Sequence, residues 1–260
     1  LYYYAKNSLF IASSEIKPIL GYPKIDLKVN KNILPEYFAF QSVQQPDTFF
    51  KDIYVFPTGS YLKIKVGERN NLNFNSYWEI NLPSKKSSNI ELLEELLIKN
   101  LEQCWNNDRA TGIQLSGGVD SSLITAWSHN ILKKDNINTY SVIFDDSIRK
   151  YYQPRSEEKF INTVVEKFHL ISNPYLFKSA EIREALPKTI WYNEMPLTGP
   201  STVLYFLLAK RMKEYVSVVI TGEGADDIFN GYYDNINFKN SMEYYLKYFV
   251  PNRIIEKLFN

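Results

Sequence analysis

The chain of 260 residues is 45% hydrophobic and 23% charged and carries a formal charge of +1, the composition of an ordinary soluble globular protein of one large or two smaller domains. That balance gives no bulk attraction to nucleic acid or anionic membrane, and basic pairs such as Lys85-Lys86 are too short to form a binding patch. One cysteine excludes an internal disulfide and a CxxC metal knuckle, and only His129 and His169 could serve as imidazole ligands.

In chain order, LYYYAKNSLFIASS opens at strand propensity with no initiator Met, as though cut inside a strand, and it reads as a fragment. Tyr2 to Ala5 and Leu9 to Ser13, joined by Lys6-Asn7-Ser8, read as a hairpin, and Ser60 to Val66 with Leu72 to Trp78 as a second strand pair around Gly67. Short helical patterns lie near Glu15 to Leu20 and Leu34 to Phe40. Polar Pro83-Ser84-Lys85-Lys86-Ser87-Ser88 then divides residues 1–82 from 89–260 as a linker.

After it, the rhythm changes. Ser88 and Glu91 have capping-box spacing, and Leu93, Leu96, Leu97, Leu101 and Cys104 repeat at helical intervals, predicting a helix over Asn89 to Trp105 with Cys104 in the core. A catalytic role for Cys104 would need a neighbouring base, and none is evident. Strand Thr111 to Leu115, helix Val119 to Leu132, strand Thr139 to Phe144, helix Glu157 to Phe168 and strand Pro174 to Phe177 follow. Helices near Glu181 to Trp191 and Ser201 to Tyr215 precede strand Val216 to Thr221. Strands spaced by helices imply an α/β domain with a doubly wound parallel sheet. No apolar run approaches the roughly 20 residues of a membrane span, and the N-terminus lacks a signal pattern. The expected setting is cytoplasmic and reducing, with neither nucleic acid nor membrane as partner.

Two glycine-bearing turns carry the chemistry. Gln114-Leu115-Ser116-Gly117-Gly118-Val119-Asp120-Ser121-Ser122 lies where a strand becomes a helix. Glycines there let the backbone approach a ligand, and the unpaired amides of a helix's first turn favour an anion. No lysine follows, as it would in GxxxxGK[ST]; Asp120 instead adds negative charge, which suits a phosphate bridged by a divalent cation. A plain Gly-Gly turn before a capped helix is the bland alternative. The second turn, Thr221-Gly222-Glu223-Gly224-Ala225-Asp226-Asp227, also follows an apolar strand and sets three carboxylates in five residues. Such carboxylates repel unless a cation or reacting amine is present. An acidic helix start would explain one of them but not the glycines. Open α/β sheets bind ligands beyond the strands' carboxyl ends where strand order reverses, so both loops are expected to flank one crevice.

SGGVDSS with TGEGADD closely resembles the ATP-pyrophosphatase (PP-loop) domain of class B, glutamine-dependent asparagine synthetases. LYYY, SLFIASSEIKPIL, TFFKDIYVFPTGSYLKI and SYW resemble the second half of that family's α+β Ntn-type glutaminase domain, so the resemblance spans essentially the whole chain. The family's N-terminal cysteine nucleophile and earlier glutamine-binding segments have no counterpart, which implies that this chain does not hydrolyse glutamine. The resemblance implies ATP and Mg²⁺, a carboxylate substrate such as aspartate activated as an acyl-adenylate with release of pyrophosphate, and attack by glutamine-derived ammonia. A homodimer is the assembly it suggests.

Carried over by position, Ser116, Gly117, Gly118, Ser121 and Ser122 would hold pyrophosphate, and Asp120 and Asp226 would bind Mg²⁺. Leu115, Val142 and the Thr221-Gly222 backbone would line the nucleotide, and Glu223 would assist amide formation. The related β-lactam synthetases have Tyr at the Glu223 position. Asp227 and Asn230 depart from the family's GADE and FGGY, and Ile143 stands where a glycine is usual. Gly199 replaces an arginine that holds the amino acid in the asparagine synthetases proper, and the sequence ends at Asn260, before a phosphate-contacting lysine. Two other functions are compatible with parts of the pattern. A tRNA-modifying PP-loop enzyme would show basic patches or extra cysteines, and a non-catalytic relic would have lost Asp120, Glu223 or Asp226.

Overall fold

The computed structural model describes residues 1–6, 9–65, 72–81, 89–145, 148, 157–229 and 231. Two compact units divide the chain: Leu1–Asn89 with Ser179–Leu207, and Ile90–Lys178 with Leu208–Asn260. The linker expected at Pro83–Ser88 lies outside the described residues, as do Asn7, Ser8, Val66, Gly67 and Asn230.

In the first unit, strands β1 (Tyr2–Lys6) and β2 (Leu9–Ser13) form the expected antiparallel pair, and β3 (Ile53–Val55) adds to the other side of β1 in register Tyr3↔Tyr54. Alternation along β1 separates its faces. Tyr4 joins Ile16, Ile19 and Ile53 in the core beneath helix α1 (Lys17–Leu20), while the Tyr3 ring meets Phe10, Tyr54, Phe56 and Phe74. Helix α2 (Leu34–Phe40) follows a single 3-10 turn and ends where Gln41 turns left-handed at φ 55°. The second strand pair is present but short, β4 (Ser60–Leu62) with β5 (Phe74–Ser76). Gly59 begins it at φ +61°, where a Cβ would lie 2.5 Å from the Trp78 carbonyl oxygen.

The second unit contains helix α3 (Ile90–Trp105), strand β6 (Thr111–Gln114), helix α4 (Val119–Asn130), strand β7 (Asn138–Phe144), helix α5 (Glu157–Lys167) and strand β8 (Ile171–Phe177). Helices α6 (Ser179–Asn193) and α7 (Ser201–Met212) then lead to strand β9 (Val218–Ile220) and helix α8 (Ala225–Phe229). α6 and the start of α7 group with the first unit. The four strands make one parallel sheet in the order β8-β7-β6-β9, so this unit is of the mixed α/β class. Its core joins Ile113, Ile137 and Ile220 to Leu101, Phe168 and Leu170, each buried aliphatic contributing about 1.5–3 kcal/mol. No described helix is long and apolar enough to cross a membrane.

One expectation fails within α3. Leu101 is buried, but Leu93, Leu96 and Cys104 are exposed. The helical period places Cys104 near Leu101, yet the core reaches this helix through Leu101 and Trp105, one turn apart on the neighbouring line. Cys104 Sγ instead lies 3.9 Å from Asn100 Oδ1 on the outer face.

Candidate active site at the sheet's switch point

From β6 the chain adds β7 and then β8 on one side before returning to place β9 on the other. Strand order therefore reverses between β6 and β9, the position at which open parallel sheets hold ligands. The register Ile113↔Ile220 brings the two carboxyl ends level, so residues 115–122 and 221–227 leave the sheet side by side.

Contact between them is direct. A Cβ on Gly222 would lie 2.9 Å from Asp120 Cβ and 3.1 Å from the Ser121 amide nitrogen. Only glycine admits that approach, which explains one of the glycines that distinguished the second turn.

The first turn is shaped from both sides. Gly117 has φ +82°, and a Cβ there would stand 2.8 Å from the Glu157 carbonyl oxygen and 3.1 Å from the Ile161 nitrogen, so the start of α5 backs the loop. Gly118 is the N-cap of α4 and supplies no side-chain cap. The helix's first amides are thereby available to a ligand. Ser121 is buried beneath them, its hydroxyl accepting from the Ser116 amide at 3.2 Å and lying 3.0 Å from Ser116 Oγ. Ser116 Oγ in turn accepts from the Gly118 amide at 3.3 Å, and Ser122 donates its amide to the Gly118 carbonyl at 3.1 Å.

Leu115 anchors the stem. It is fully buried, donates its amide to the Tyr140 carbonyl at 2.9 Å and accepts the Ser141 hydroxyl at 2.7 Å. Val142, partly buried, lies on β7 opposite Tyr175 of β8. On the second turn, Thr221 and Glu223 are exposed, and Thr221 Oγ1 accepts the Glu223 amide at 3.3 Å. Gly224 has φ +88° with open space around it. Asp226 is partly buried, and its carbonyl accepts the Gly231 amide at 3.0 Å. A Cβ on Gly231 would collide with the Asp226 carboxylate, so that glycine makes room for the side chain. Gly199 belongs to the first unit.

The approach of α5 to Gly117 was not visible in the sequence. The helix itself was predicted, but its contact with the loop is tertiary. Desolvation raises the Glu157 carboxyl above its ordinary value, although much of the residue meets solvent.

The residues present fit a nucleotide with a divalent cation. Among the described residues no group of three or more His, Cys, Asp and Glu side chains could hold a metal by itself. Mg²⁺ is commonly held by one or two carboxylates together with substrate phosphates. Asp120 touches the second turn at Gly222, and Asp226 lies four residues further along that turn.

A parallel sheet with a glycine-rich loop and an acidic loop side by side at its switch point fits a nucleotide-binding fold of the α/β class. Residues 92–257 match the asparagine synthase family model and residues 1–78 the glutamine amidotransferase domain model. The chain belongs to the asparagine synthase family. Over 243 residues it is 29% identical to a Methanocaldococcus jannaschii protein that carries the provisional name asparagine synthetase (glutamine-hydrolyzing) 2, a match covering 91% of this chain and 45% of that protein. Asparagine synthetase (glutamine-hydrolyzing) 1 of Bacillus subtilis is 26% identical, over 89% of this chain and 35% of its own length. Amidase chry2 of Gibberella zeae is 25% identical, over 89% and 36%. The chain thus spans less than half the length of these relatives.

Proposed function

We propose that these residues form the ATP-dependent amide-forming site of an asparagine synthetase-type ligase. The observation that carries this reading is the contact of Gly222 with Asp120 and Ser121, which joins the anion loop to the acidic loop at the switch point. In the proposed reaction a substrate carboxylate oxygen attacks the α-phosphorus of ATP and pyrophosphate leaves. Ammonia then attacks the acyl carbon, AMP departs and an amide remains. Ser116, Gly117, Gly118, Ser121 and Ser122 hold the departing pyrophosphate through amides and hydroxyls at the start of α4. Leu115, Val142 and the Thr221-Gly222 backbone border the nucleotide. Asp120 and Asp226 would hold Mg²⁺, which would supply positive charge to offset that of the leaving phosphates. Glu223 takes the proton that the nitrogen loses as ammonia adds to the acyl carbon. The sheet is read as doubly wound, residues 1–82 as the C-terminal part of an Ntn-type glutaminase domain, residues 83–88 as the linker and residues 89–260 as the ATP-binding domain.

Substrate-dependent ATP–pyrophosphate exchange, measured in the protein carrying these residues, tests the assignment. Asp120→Asn is expected to abolish exchange by removing an anionic metal ligand, and an unchanged rate would refute the metal role. Glu223→Gln keeps size and most hydrogen bonds but removes the proton acceptor. Exchange is expected to survive while amide formation falls by about 10²–10⁴-fold. A parallel fall in both would make Glu223 an organiser of adenylation instead.

Aspartate is the substrate the family suggests. A different carboxylate is the second reading, favoured by Gly199 at the position of the substrate-holding arginine and by a relative named as an amidase. Comparing exchange driven by aspartate with exchange driven by other carboxylic acids decides between them.

A further inference from the structure

The hydroxyls of the first glycine turn are bonded to one another. Ser121 Oγ donates to the Gly118 carbonyl at 3.3 Å, accepts the Ser116 amide at 3.2 Å and lies 3.0 Å from Ser116 Oγ. A serine hydroxyl has one proton and two acceptor positions. With its own proton on Gly118, Ser121 takes the Ser116 proton across the 3.0 Å contact, and all three of its positions are filled. Ser116 Oγ in turn accepts the Gly118 amide at 3.3 Å, so the chain of bonds leaves Gly118 by its amide and returns to it by its carbonyl.

Burial separates the two serines. Ser121 is only 5% exposed, while Ser116 stands at the surface. One turn further along α4 the buried Thr125 donates its hydroxyl to the Ser121 carbonyl at 2.7 Å, and Gly222 of the second turn packs against the Ser121 amide nitrogen. The Ser116 hydroxyl can turn its proton outward to a phosphate while Ser121 keeps its bonds to the Gly118 carbonyl and the Ser116 amide. Swinging the Ser121 side chain outward would instead leave the Ser116 amide without its acceptor and Ser116 Oγ without its partner. Losing those bonds costs free energy that a single new contact to phosphate has to offset.

We propose that Ser121 is a positioning residue, whose hydroxyl, linked to Ser116 and Gly118, holds the glycine turn in the shape that presents its amides to an anion and does not itself touch the phosphates. A turn already shaped loses less conformational freedom on binding, which strengthens binding without a new contact. The inference rests on the pyrophosphate reading of the turn and narrows it at one residue: Ser121 contributes the shape and Ser122 a direct contact.

Two measurements on the full chain test this: amide hydrogen exchange at single residues without ligand, and titration with inorganic pyrophosphate and Mg²⁺. Ser121→Ala is expected to speed exchange at the Ser116 amide by about tenfold, leaving β6 and β7 unchanged. The Gly118 amide, which is bonded to Ser116 and not to Ser121, is expected to quicken several-fold as well. Pyrophosphate binding is expected to weaken about tenfold. Ser122→Ala is expected to weaken binding while leaving exchange at Ser116 and Gly118 as it was. If Ser121→Ala does not fold, Ser121→Cys fills the same space with a poor hydrogen-bonding group and carries the test with the same outcomes. Weaker binding with unchanged exchange at Gly118 would overturn the proposal, because the Ser121 hydroxyl would then be a phosphate ligand. Faster exchange with unchanged affinity would overturn it too, as would an equal exchange response to Ser122→Ala or a rise spread over β6 and β7. An unmodified chain that binds no pyrophosphate would refute the reading of the turn as a pyrophosphate site, while exchange at Gly118 still decides whether Ser121 shapes it.

Discussion

Gly117, Gly222 and Gly224 each lack a side chain for a different reason, and alanine at each has a different expected cost. Gly224, at φ +88° in open space, would add only left-handed strain of about 1–2 kcal/mol. Gly117 combines φ +82° with backbone atoms of α5 at 2.8 and 3.1 Å; strain plus overlap makes Gly117→Ala cost about 3 kcal/mol or more. Urea denaturation checks the order, and equal costs would show that α5 yields. At Gly222 the backbone is not left-handed, so Gly222→Ala acts mainly by parting the two loops. It is expected to weaken nucleotide binding about tenfold or more with a stability loss of only about 1–3 kcal/mol. Titration with a fluorescent ATP analogue, beside denaturation, separates the two effects. Cys104 was expected in the core and is exposed. Cys104→Ser is therefore expected to change stability by no more than about 0.5 kcal/mol.

At the scale of elements, the Glu194 carboxylate that caps α1 makes stability depend on pH. Burial alone would raise the Glu194 carboxyl, but the Ile16 amide, the Lys17 ammonium and the Lys17 amide together hold it below its ordinary value of 4.5. Its contribution is present above that unfolded value and is lost as pH falls through the lower folded one. The Lys17 ammonium is raised above 10.5, first by its hydrogen bond to Glu194, so its contribution is present below 10.5 and lost as pH rises through the higher folded value. The stability difference between the unmodified chain and Glu194→Gln should stay level between about pH 6 and 9 and shrink below the ordinary carboxylate value. Denaturation midpoints across pH check this, and a difference that grows on acidification would refute it. Most elements were legible because their periods are local: β1, β2, α2, β6, α4 and β7 begin and end within two residues of expectation. β3 was missed because three residues between Asp52, at φ 65°, and Phe56-Pro57 carry too little period, and the strand exists through its pairing with β1. Both site loops were legible from their glycines and carboxylates, whereas the backing of Gly117 by α5 depends on residues 40 positions away.

For the whole molecule, the composition shift at residues 83–88 and the packing describe different divisions. Alternation of helix and strand from Asn89 onward is interrupted where two helices, near Glu181 to Trp191 and Ser201 to Tyr215, follow one another, but nothing in that pattern assigns Ser179–Leu207 to residues 1–89. That segment joins residues 1–89 through long-range contacts, of which the bonds from Ile16 and Lys17 to Glu194 are the most specific. Residues 1–89 produced alone would leave the Ile16 and Lys17 amides without their acceptor, and residues 90–260 alone would leave the Glu194 carboxylate without its donors. Each piece is therefore expected to show faster amide exchange than the full chain at these contacts, by about tenfold or more at Ile16 and Lys17 in the shorter piece and through α6 in the longer one. Mixing the two pieces is expected to restore protection in both, because the missing partners are returned together. If α6 in residues 90–260 alone exchanges as slowly as in the full chain, Ser179–Leu207 gains its order from the α/β unit, and the division at residue 89 is the physical one.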